Sequence, residues 1–234
     1  MSERQFEADA PELMDRPDAT PAELEDALTS LRRLNRWFGS YRLVMRFARR
    51  WIRPGDQLRV ADLATGSADI PRLLVDHARA VGGSIAIDAV DFQPTTCEMA
   101  RGLSAGYPEI TCHCDDVLKF GTAGAYDLVL CSLALHHFSE ADAVAVLRRC
   151  RELSRRFVLV SDLRRGFLAS VGVYLLTSII FRDPITRSDA RVSARRAFTL
   201  AELRDLAKRA GWEAFGSGKF PLARHAIWLE QGAS

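Results

Sequence analysis

Residues 57–71, Q-L-R-V-A-D-L-A-T-G-S-A-D-I-P, decide the fold. The first half has the character of a short strand, and the second half is a turn of small residues that opens a helix. Small side chains let a ligand approach the backbone closely, and the amide groups of the first helical turn face that ligand. In open α/β sheets ligands bind beyond the carboxyl ends of the strands, so the stretch predicts a ligand-binding strand–turn–helix unit.

Outward from this unit, short runs rich in Val, Ile and Leu alternate with helical patterns. The predicted strands are Gln57–Leu63, Ser84–Asp91, Ile110–Cys114, Tyr126–Ser132 and Phe157–Ser161. Helices are predicted between them at Ile70–Val81, Pro94–Ala105 and Ala141–Leu153. Such alternation is typical of a parallel sheet with helices on both faces.

The carboxyl-terminal part departs from this alternation. After a predicted helix at Leu200–Ala210, the strand-like runs Trp212–Gly218 and Ala223–Glu230 follow one another without a helix. A connection this short can join only antiparallel strands. The sequence therefore predicts an α/β fold, a Rossmann-like doubly wound sheet of seven strands with a terminal antiparallel hairpin.

Two further segments are predicted to cover this sheet. Helices at Thr20–Phe38 and Tyr41–Ile52 would form an N-terminal helical cap over residues 1–53, followed by the main domain at 54–234. Residues 164–197 are longer than a usual connection, which predicts a lid-like insertion over an apolar pocket. Its apolar run, Phe167–Phe181, is shorter than the roughly 18 to 20 residues that cross a bilayer.

Composition and charge narrow the class of protein. The 234 residues are 48% hydrophobic and 26% charged with a net charge of +2, as expected of a globular domain. Arginines cluster in residues 32–53 after an acidic start, which fits a solvated helix face, with nucleic acid or a membrane surface as alternatives. The five cysteines and the lack of a visible secretory leader favour the cytoplasm, and Cys112-His113-Cys114 lacks the second ligand pair of a zinc site.

Four short motifs follow the predicted strands in order. Asp62 ends the first strand and precedes a turn with Ala64, Gly66 and Ala68 at alternate positions. The second strand ends in Asp91-Phe92, where a carboxylate can accept hydrogen bonds from two ribose hydroxyls or cap the next helix. The third is followed by Asp115-Asp116-Val117, and the fourth is the run from Tyr126 to Phe138.

These motifs resemble those of class I S-adenosylmethionine-dependent methyltransferases over about residues 57–230. The chain looks most similar to the ubiquinone/menaquinone-type small-molecule superfamily, whose first motif has glycines where Ala64, Gly66 and Ala68 stand. The terminal hairpin also fits that class, whereas the G-x-G-x-x-G of dinucleotide-binding proteins is absent. Asp15-Arg16-Pro17 and residues 193–199 are similar to a bacterial subgroup associated with polyketide pathways.

The resemblance implies an enzyme with S-adenosyl-L-methionine as its cofactor. In the family the acidic-then-small pair after the third strand meets adenine, a role that falls here to Asp116 and Val117, although a solvated turn is the alternative. The complete set of residues expected at the cofactor is Asp62, Ala64, Thr65, Gly66, Asp69, Asp91, Phe92, Asp116, Val117 and Ser132.

Two histidines after the fourth strand are the candidate bases. If the acceptor is a phenol or enol, an imidazole within hydrogen-bond reach assists its deprotonation at neutral pH. His137 is preferred over His136 because it directly precedes Phe138 and the helix cap at Ser139, where the chain bends over the cofactor. Ordering of the loop is the structural alternative, and His225 at the last strand is a weaker candidate.

The resemblance favours methyl transfer to a hydroxyl oxygen of a small apolar or aromatic acceptor, such as a quinone- or polyketide-like compound. C-methylation of a quinone-like acceptor is the alternative, and a non-catalytic regulatory protein or an NAD(P)-dependent oxidoreductase are the alternatives of another class. No nucleic-acid partner is expected, since an Asn-Pro-Pro-Tyr-like base-flipping signature is absent. Peripheral membrane association and the oligomeric state are left open.

Overall fold

The computed structural model describes residues 4–6, 29, 32, 35–37, 39–166 and 192–231. The strands in them are β1 (Gln57–Leu63), β2 (Ser84–Asp91), β3 (Ile110–Cys114), β4 (Tyr126–Ser132), β5 (Ser154–Leu163), β6 (Gly216–Phe220) and β7 (Arg224–Glu230). The helices that lie wholly within these residues are α1 (Ser40–Trp51), α2 (Asp69–Val81), α3 (Pro94–Leu103), α4 (Glu140–Leu153) and α5 (Leu200–Arg209). A 3₁₀ turn, Leu135–His137, follows β4.

The strands form one sheet in the order β3-β2-β1-β4-β5-β7-β6. The first five strands are parallel, while β7 runs antiparallel to both β5 and β6. This confirms the predicted doubly wound sheet and its terminal hairpin. The strand order reverses between β1 and β4, which opens a crevice at the carboxyl ends of these two strands.

The predicted bounds hold for β1 to β4 and fail in part for the later strands. β5 is longer than predicted at both ends, and β6 occupies Gly216–Phe220 instead of Trp212–Gly218. Trp212 lies outside the strand because its indole is buried beneath α4, where its Nε1 donates to the Leu147 carbonyl at 3.0 Å. Burial of this large ring overrides its strand propensity.

Each face of the sheet carries its own apolar core. Alternate strand residues point to opposite faces, so Leu128 belongs to one core and Val129 to the other. α1 and α2 cover the first face, where the Trp51 ring stacks on Phe157 with centroids 4.8 Å apart. α4 and α5 cover the second face. The sheet is therefore buried on both sides, as its apolar strands require.

Some predictions fall on residues outside this description. Of the predicted helix Thr20–Phe38 only residues 29, 32 and 35–37 are described, and these are helical. The apolar run Phe167–Phe181 and most of the predicted lid lie outside the described residues, and the division into a cap and a main domain stays a prediction. Within the described ranges, none of the helices combines the length and apolar character needed to cross a membrane.

Close packing across the terminal hairpin depends on a glycine. Gly216 in β6 is the register partner of Trp228 in β7. A Cβ atom added at Gly216 would overlap the Trp228 indole, whereas one added at Gly218 would meet its nearest atom, in Phe220, at an ordinary 3.5 Å. The indole thus lies against bare backbone at Gly216.

We expect Gly216→Ala to lower the free energy of unfolding by about 1 to 3 kcal/mol, because the extra methyl group overpacks the Trp228 site. Gly218→Ala in the same strand is the matched control and should leave stability within about 0.5 kcal/mol of the wild type. Urea denaturation followed by tryptophan fluorescence measures both. Equal losses in the two variants would contradict the packing argument.

Candidate active site

The turn between β1 and α2 has an unusual backbone. Ala64, Gly66 and Ala68 have φ angles of 56°, 58° and 56°, so three alternate residues are left-handed. This conformation costs a residue with a Cβ atom roughly 1 to 2 kcal/mol, and only glycine adopts it freely. The two alanines therefore occupy positions whose geometry favours glycine, in agreement with the motif that the sequence suggested.

Hydrogen bonds that the turn donates to the ends of β1 and β2 hold it in place. The Gly66 amide donates to Asp91 Oδ2 at 2.8 Å, and the Thr65 amide donates to the Val90 carbonyl at 2.9 Å. The Thr65 hydroxyl donates to Asp62 Oδ2 at 2.6 Å. A Cβ atom at Gly66 would meet nothing within 4 Å, so space is open beside its Cα. The turn thus joins Asp62 and Asp91 at one edge of the sheet.

Asp62 is a buried carboxyl group. Burial raises its pKa to about 7, opposed by the Thr65 hydrogen bond and assisted by the negative charges of Asp91 and Asp69. An acid held this way is close to half ionised at neutral pH. A cation brought next to it would stabilise the ionised form.

Asp69, at the start of α2, links the turn to helix α1. Its Oδ2 accepts a hydrogen bond from the Tyr41 hydroxyl at 2.6 Å, and its Oδ1 accepts from Ser67 at 2.7 Å and Arg72 at 2.9 Å. Both oxygens of Asp69 therefore already accept hydrogen bonds from other side chains of the protein. Tyr41 was not identified from the sequence, since nothing in α1 signals a partner in α2.

The ends of β2 and β3 present an aromatic ring and a second acidic turn. Phe92 follows Asp91 and is 76% exposed, an unusual position for a large apolar side chain. Asp116 Oδ1 accepts a hydrogen bond from the Leu118 amide at 2.9 Å, and the Val117 side chain is buried. These residues lie beyond neighbouring strands, because Asp91 and Cys114 are register partners. An exposed aromatic ring therefore follows Asp91 directly in the chain.

At the ends of β4 and β5 lies a buried histidine–aspartate pair. His136 Nδ1 is 2.7 Å from Asp162 Oδ1, and the His136 amide donates to Asp162 Oδ2 at 2.9 Å. Both side chains are almost fully buried. Nearby, the Ser161 hydroxyl donates to the predicted site residue Ser132 at 3.1 Å.

The charge of Asp162 fixes the orientation of the imidazole. Burial alone would raise the pKa of Asp162, but the charge and hydrogen bond of His136, together with His225 and the Leu163 amide, hold it below its usual value. An ionised carboxylate only accepts hydrogen bonds, so His136 Nδ1 carries the proton in this pair. A neutral His136 therefore has its lone pair on Nε2.

His137 lies beside this pair. Its ring centroid is 4.3 Å from that of His136, and its amide donates to the Ala134 carbonyl at 3.0 Å within the 3₁₀ turn. The Arg4 guanidinium also holds the turn, since it donates to the carbonyls of His136 at 3.3 Å and Phe138 at 2.8 Å.

The structure thus brings the predicted residues of β1, β2 and β3 to one end of the sheet and the two histidines to the adjoining strand ends. Asp162 and Arg4 were missed by sequence reasoning. Asp162 stands at a strand end, as Asp62 and Asp91 do, and this position is the signal that could have identified it, whereas Arg4 reaches the site only through tertiary contacts. Among the described residues no three His, Cys, Asp or Glu side chains are grouped as a metal site requires.

Comparisons with known proteins concern the fold and the type of domain. Residues 60–156 match the family model described as a methyltransferase domain. Among solved structures, an S-adenosylmethionine-dependent methyltransferase from Aquifex aeolicus is 13% identical, with a TM-score of 0.62, over 90% of this chain and 98% of the other. A magnesium protoporphyrin IX methyltransferase from Synechocystis with bound S-adenosylhomocysteine is 17% identical, with a TM-score of 0.57, over 83% and 84%.

A third similar structure is described as a possible exported protein from Bordetella parapertussis. It is 20% identical, with a TM-score of 0.60, over 83% of this chain and 67% of the other. No curated protein matches the chain significantly. At these identities the likeness to solved structures is one of fold, and the family match adds the type of domain. Residues 60–156 therefore match a methyltransferase domain, and the chain shares the fold of solved S-adenosylmethionine-dependent methyltransferases.

Proposed function

We propose that this domain transfers the methyl group of S-adenosylmethionine to a hydroxyl oxygen of a small apolar or aromatic acceptor. The observation that carries the choice of oxygen is the buried His136–Asp162 pair at the ends of β4 and β5. A hydroxyl group is a weak nucleophile until it loses its proton, and an imidazole oriented by a carboxylate is suited to take that proton.

Three features of the first two strand ends support cofactor binding there. The open space beside Gly66 leaves room for close approach to the backbone. The ammonium group of the cofactor's methionine part would stabilise the ionised form of the Asp62 carboxyl group, whose pKa is raised in the free protein. The exposed Phe92 ring offers a surface for adenine beside Asp91, whose carboxylate can accept ribose hydroxyls.

The remaining predicted residues have assigned places in this proposal. Asp116 and Val117 line the adenine side, whereas Ala64, Thr65 and Ser132 shape the part of the site nearest β1 and β4. Asp69 acts through Tyr41 and Arg72 by fixing the start of α2.

When bound, S-adenosylmethionine supplies a methyl group that its sulfonium charge already activates for in-line displacement. The protein therefore has to align the acceptor, exclude water and accept one proton. His136 Nε2 takes the hydroxyl proton, and the ionised Asp162 stabilises the resulting imidazolium. His137, the residue preferred from the sequence, is here the alternative base, because its ring lies directly beside that of His136.

The cofactor assignment predicts proton release on binding. Because the pKa of Asp62 is about 7 in the free protein, binding of S-adenosylhomocysteine with its ammonium group should release about half a proton at pH 7. Affinity should accordingly increase as the pH rises from 6 to 8. Isothermal titration calorimetry in buffers of different ionisation enthalpy measures the proton count.

Asp62→Asn is the matched control, since it keeps the shape of the side chain and removes its titration. This variant should bind S-adenosylhomocysteine without releasing a proton at this site. An equal proton count in the variant and the wild type would refute the role of Asp62, and absence of binding to the folded wild-type protein would refute the proposed function.

The choice of base is tested by comparing two neighbouring residues. His136→Ala should lower turnover about 10²- to 10⁴-fold, the usual contribution of a general base, and leave affinity for S-adenosylhomocysteine nearly unchanged. Its deficit should shrink at high pH, where the acceptor hydroxyl ionises in solution. Transfer of radiolabelled methyl groups to 2-naphthol and 2,3-dihydroxynaphthalene provides the assay.

His137→Ala is the control and should retain turnover within about tenfold if His136 is the base. Asp162→Asn should resemble His136→Ala, because an asparagine no longer stabilises the imidazolium. A large loss in His137→Ala with little loss in His136→Ala would assign the base to His137. Near-normal turnover in both alanine variants would mean that positioning alone suffices.

A further inference from the structure

His225, the second residue of β7, is a fully buried histidine whose ring has no hydrogen-bond partner among the described residues. Its side chain is 0% exposed, and both Nδ1 and Nε2 are unsatisfied. Burying a polar group without a partner usually costs about 1 to 3 kcal/mol, so most buried imidazoles donate and accept hydrogen bonds. An apolar side chain at this position would avoid that loss.

The strand register places His225 next to the His136–Asp162 pair. Asp162 in β5 is the register partner of His225 in the antiparallel β5–β7 pair. Directly opposed residues in such a pair point to the same face of the sheet. Asp162 already accepts two hydrogen bonds from His136. His225 and the proposed base His136 are therefore both neighbours of Asp162.

The charge state of His225 limits what it can bind. Burial lowers its pKa to about 4, against the attraction of Asp162 and with the repulsion of Arg164 and Arg224. Glu202 on α5 opposes the shift weakly. At neutral pH the ring is therefore uncharged and offers one N–H donor and one lone pair. That combination suits an uncharged hydroxyl or carbonyl group better than an ion.

We propose that His225 binds a second oxygen of the methyl acceptor, next to the hydroxyl group that becomes methylated. The acceptor class is then an aromatic or enolic compound with two neighbouring oxygens, as in an ortho-diol or an ortho-hydroxycarbonyl compound. This inference rests on the proposed function and names the substrate class of the same site. A buried polar residue that lowers stability because it has no structural partner is expected where that residue binds a ligand.

The alternative occupant is a buried water molecule, which also satisfies polar groups in protein interiors. A water molecule bound only to the protein would make His225 indifferent to the structure of the acceptor. The two explanations therefore differ in their effect on the preference between two related compounds.

The test compares binding of 2,3-dihydroxynaphthalene and 2-naphthol, which differ by one adjacent hydroxyl group, to the protein saturated with S-adenosylhomocysteine. We expect the wild type to prefer the diol about tenfold, as one additional hydrogen bond would give. His225→Leu should reduce that preference to within about twofold. His225→Gln, which keeps a donor and an acceptor, should recover part of it.

Thermal unfolding of the same variants separates binding from structure. His225→Leu should unfold at the wild-type temperature or higher, because it removes an unsatisfied buried polar group. A fall of more than about 5 °C would show that the ring has a structural partner and would overturn the inference. A wild type that binds neither compound, or a diol preference that survives in His225→Leu, would overturn it as well.

Failure of this inference is distinguishable from failure of the proposed function. If the wild type binds S-adenosylhomocysteine and methylates 2-naphthol and the diol equally well, the methyltransferase proposal holds and the proposed role of His225 is wrong. If S-adenosylhomocysteine does not bind at all, the cofactor proposal falls first.

Discussion

The hydrogen bond from the Gly66 amide to the Asp91 carboxylate fixes the part of the molecule on which the site depends. The turn after β1 must pass three left-handed residues before α2 begins, and two of them are alanines that pay a conformational penalty. The Asp91 carboxylate at the end of β2 anchors the middle of this turn. The proposed cofactor site therefore relies on strained backbone that a neighbouring strand supports.

The same arrangement recurs on the other side of the strand-order reversal. Asp162 at the end of β5 accepts both the amide and the imidazole of His136, so one carboxylate fixes the backbone of the turn after β4 and the ring of the proposed base. Each half of the site thus depends on an acidic residue at a strand end that holds a loop from the adjacent strand. Parallel strands allow this arrangement, because their carboxyl ends lie at the same edge of the sheet.

Much of the fold could be predicted from local patterns, and the site only in part. Short apolar runs bounded by Gly and Pro define β1 to β4. The small residues Ala64, Gly66 and Ala68 mark the turn positions that adopt positive φ angles. The start of β5 was missed because Arg155 and Arg156 interrupt its apolar pattern. The pairing of Asp162 with His136 depends on the order of strands in space, which local sequence does not encode.

The most direct test of the account is a ¹⁵N–¹H NMR titration of the whole chain with S-adenosylhomocysteine and, separately, with NADPH. We expect S-adenosylhomocysteine to shift the amide signals of Thr65, Gly66, Phe92 and Val117, which belong to three strand ends on one side of the sheet, while NADPH leaves them unchanged. Equal shifts with NADPH, or shifts with S-adenosylhomocysteine confined to residues away from these strand ends, would contradict the account.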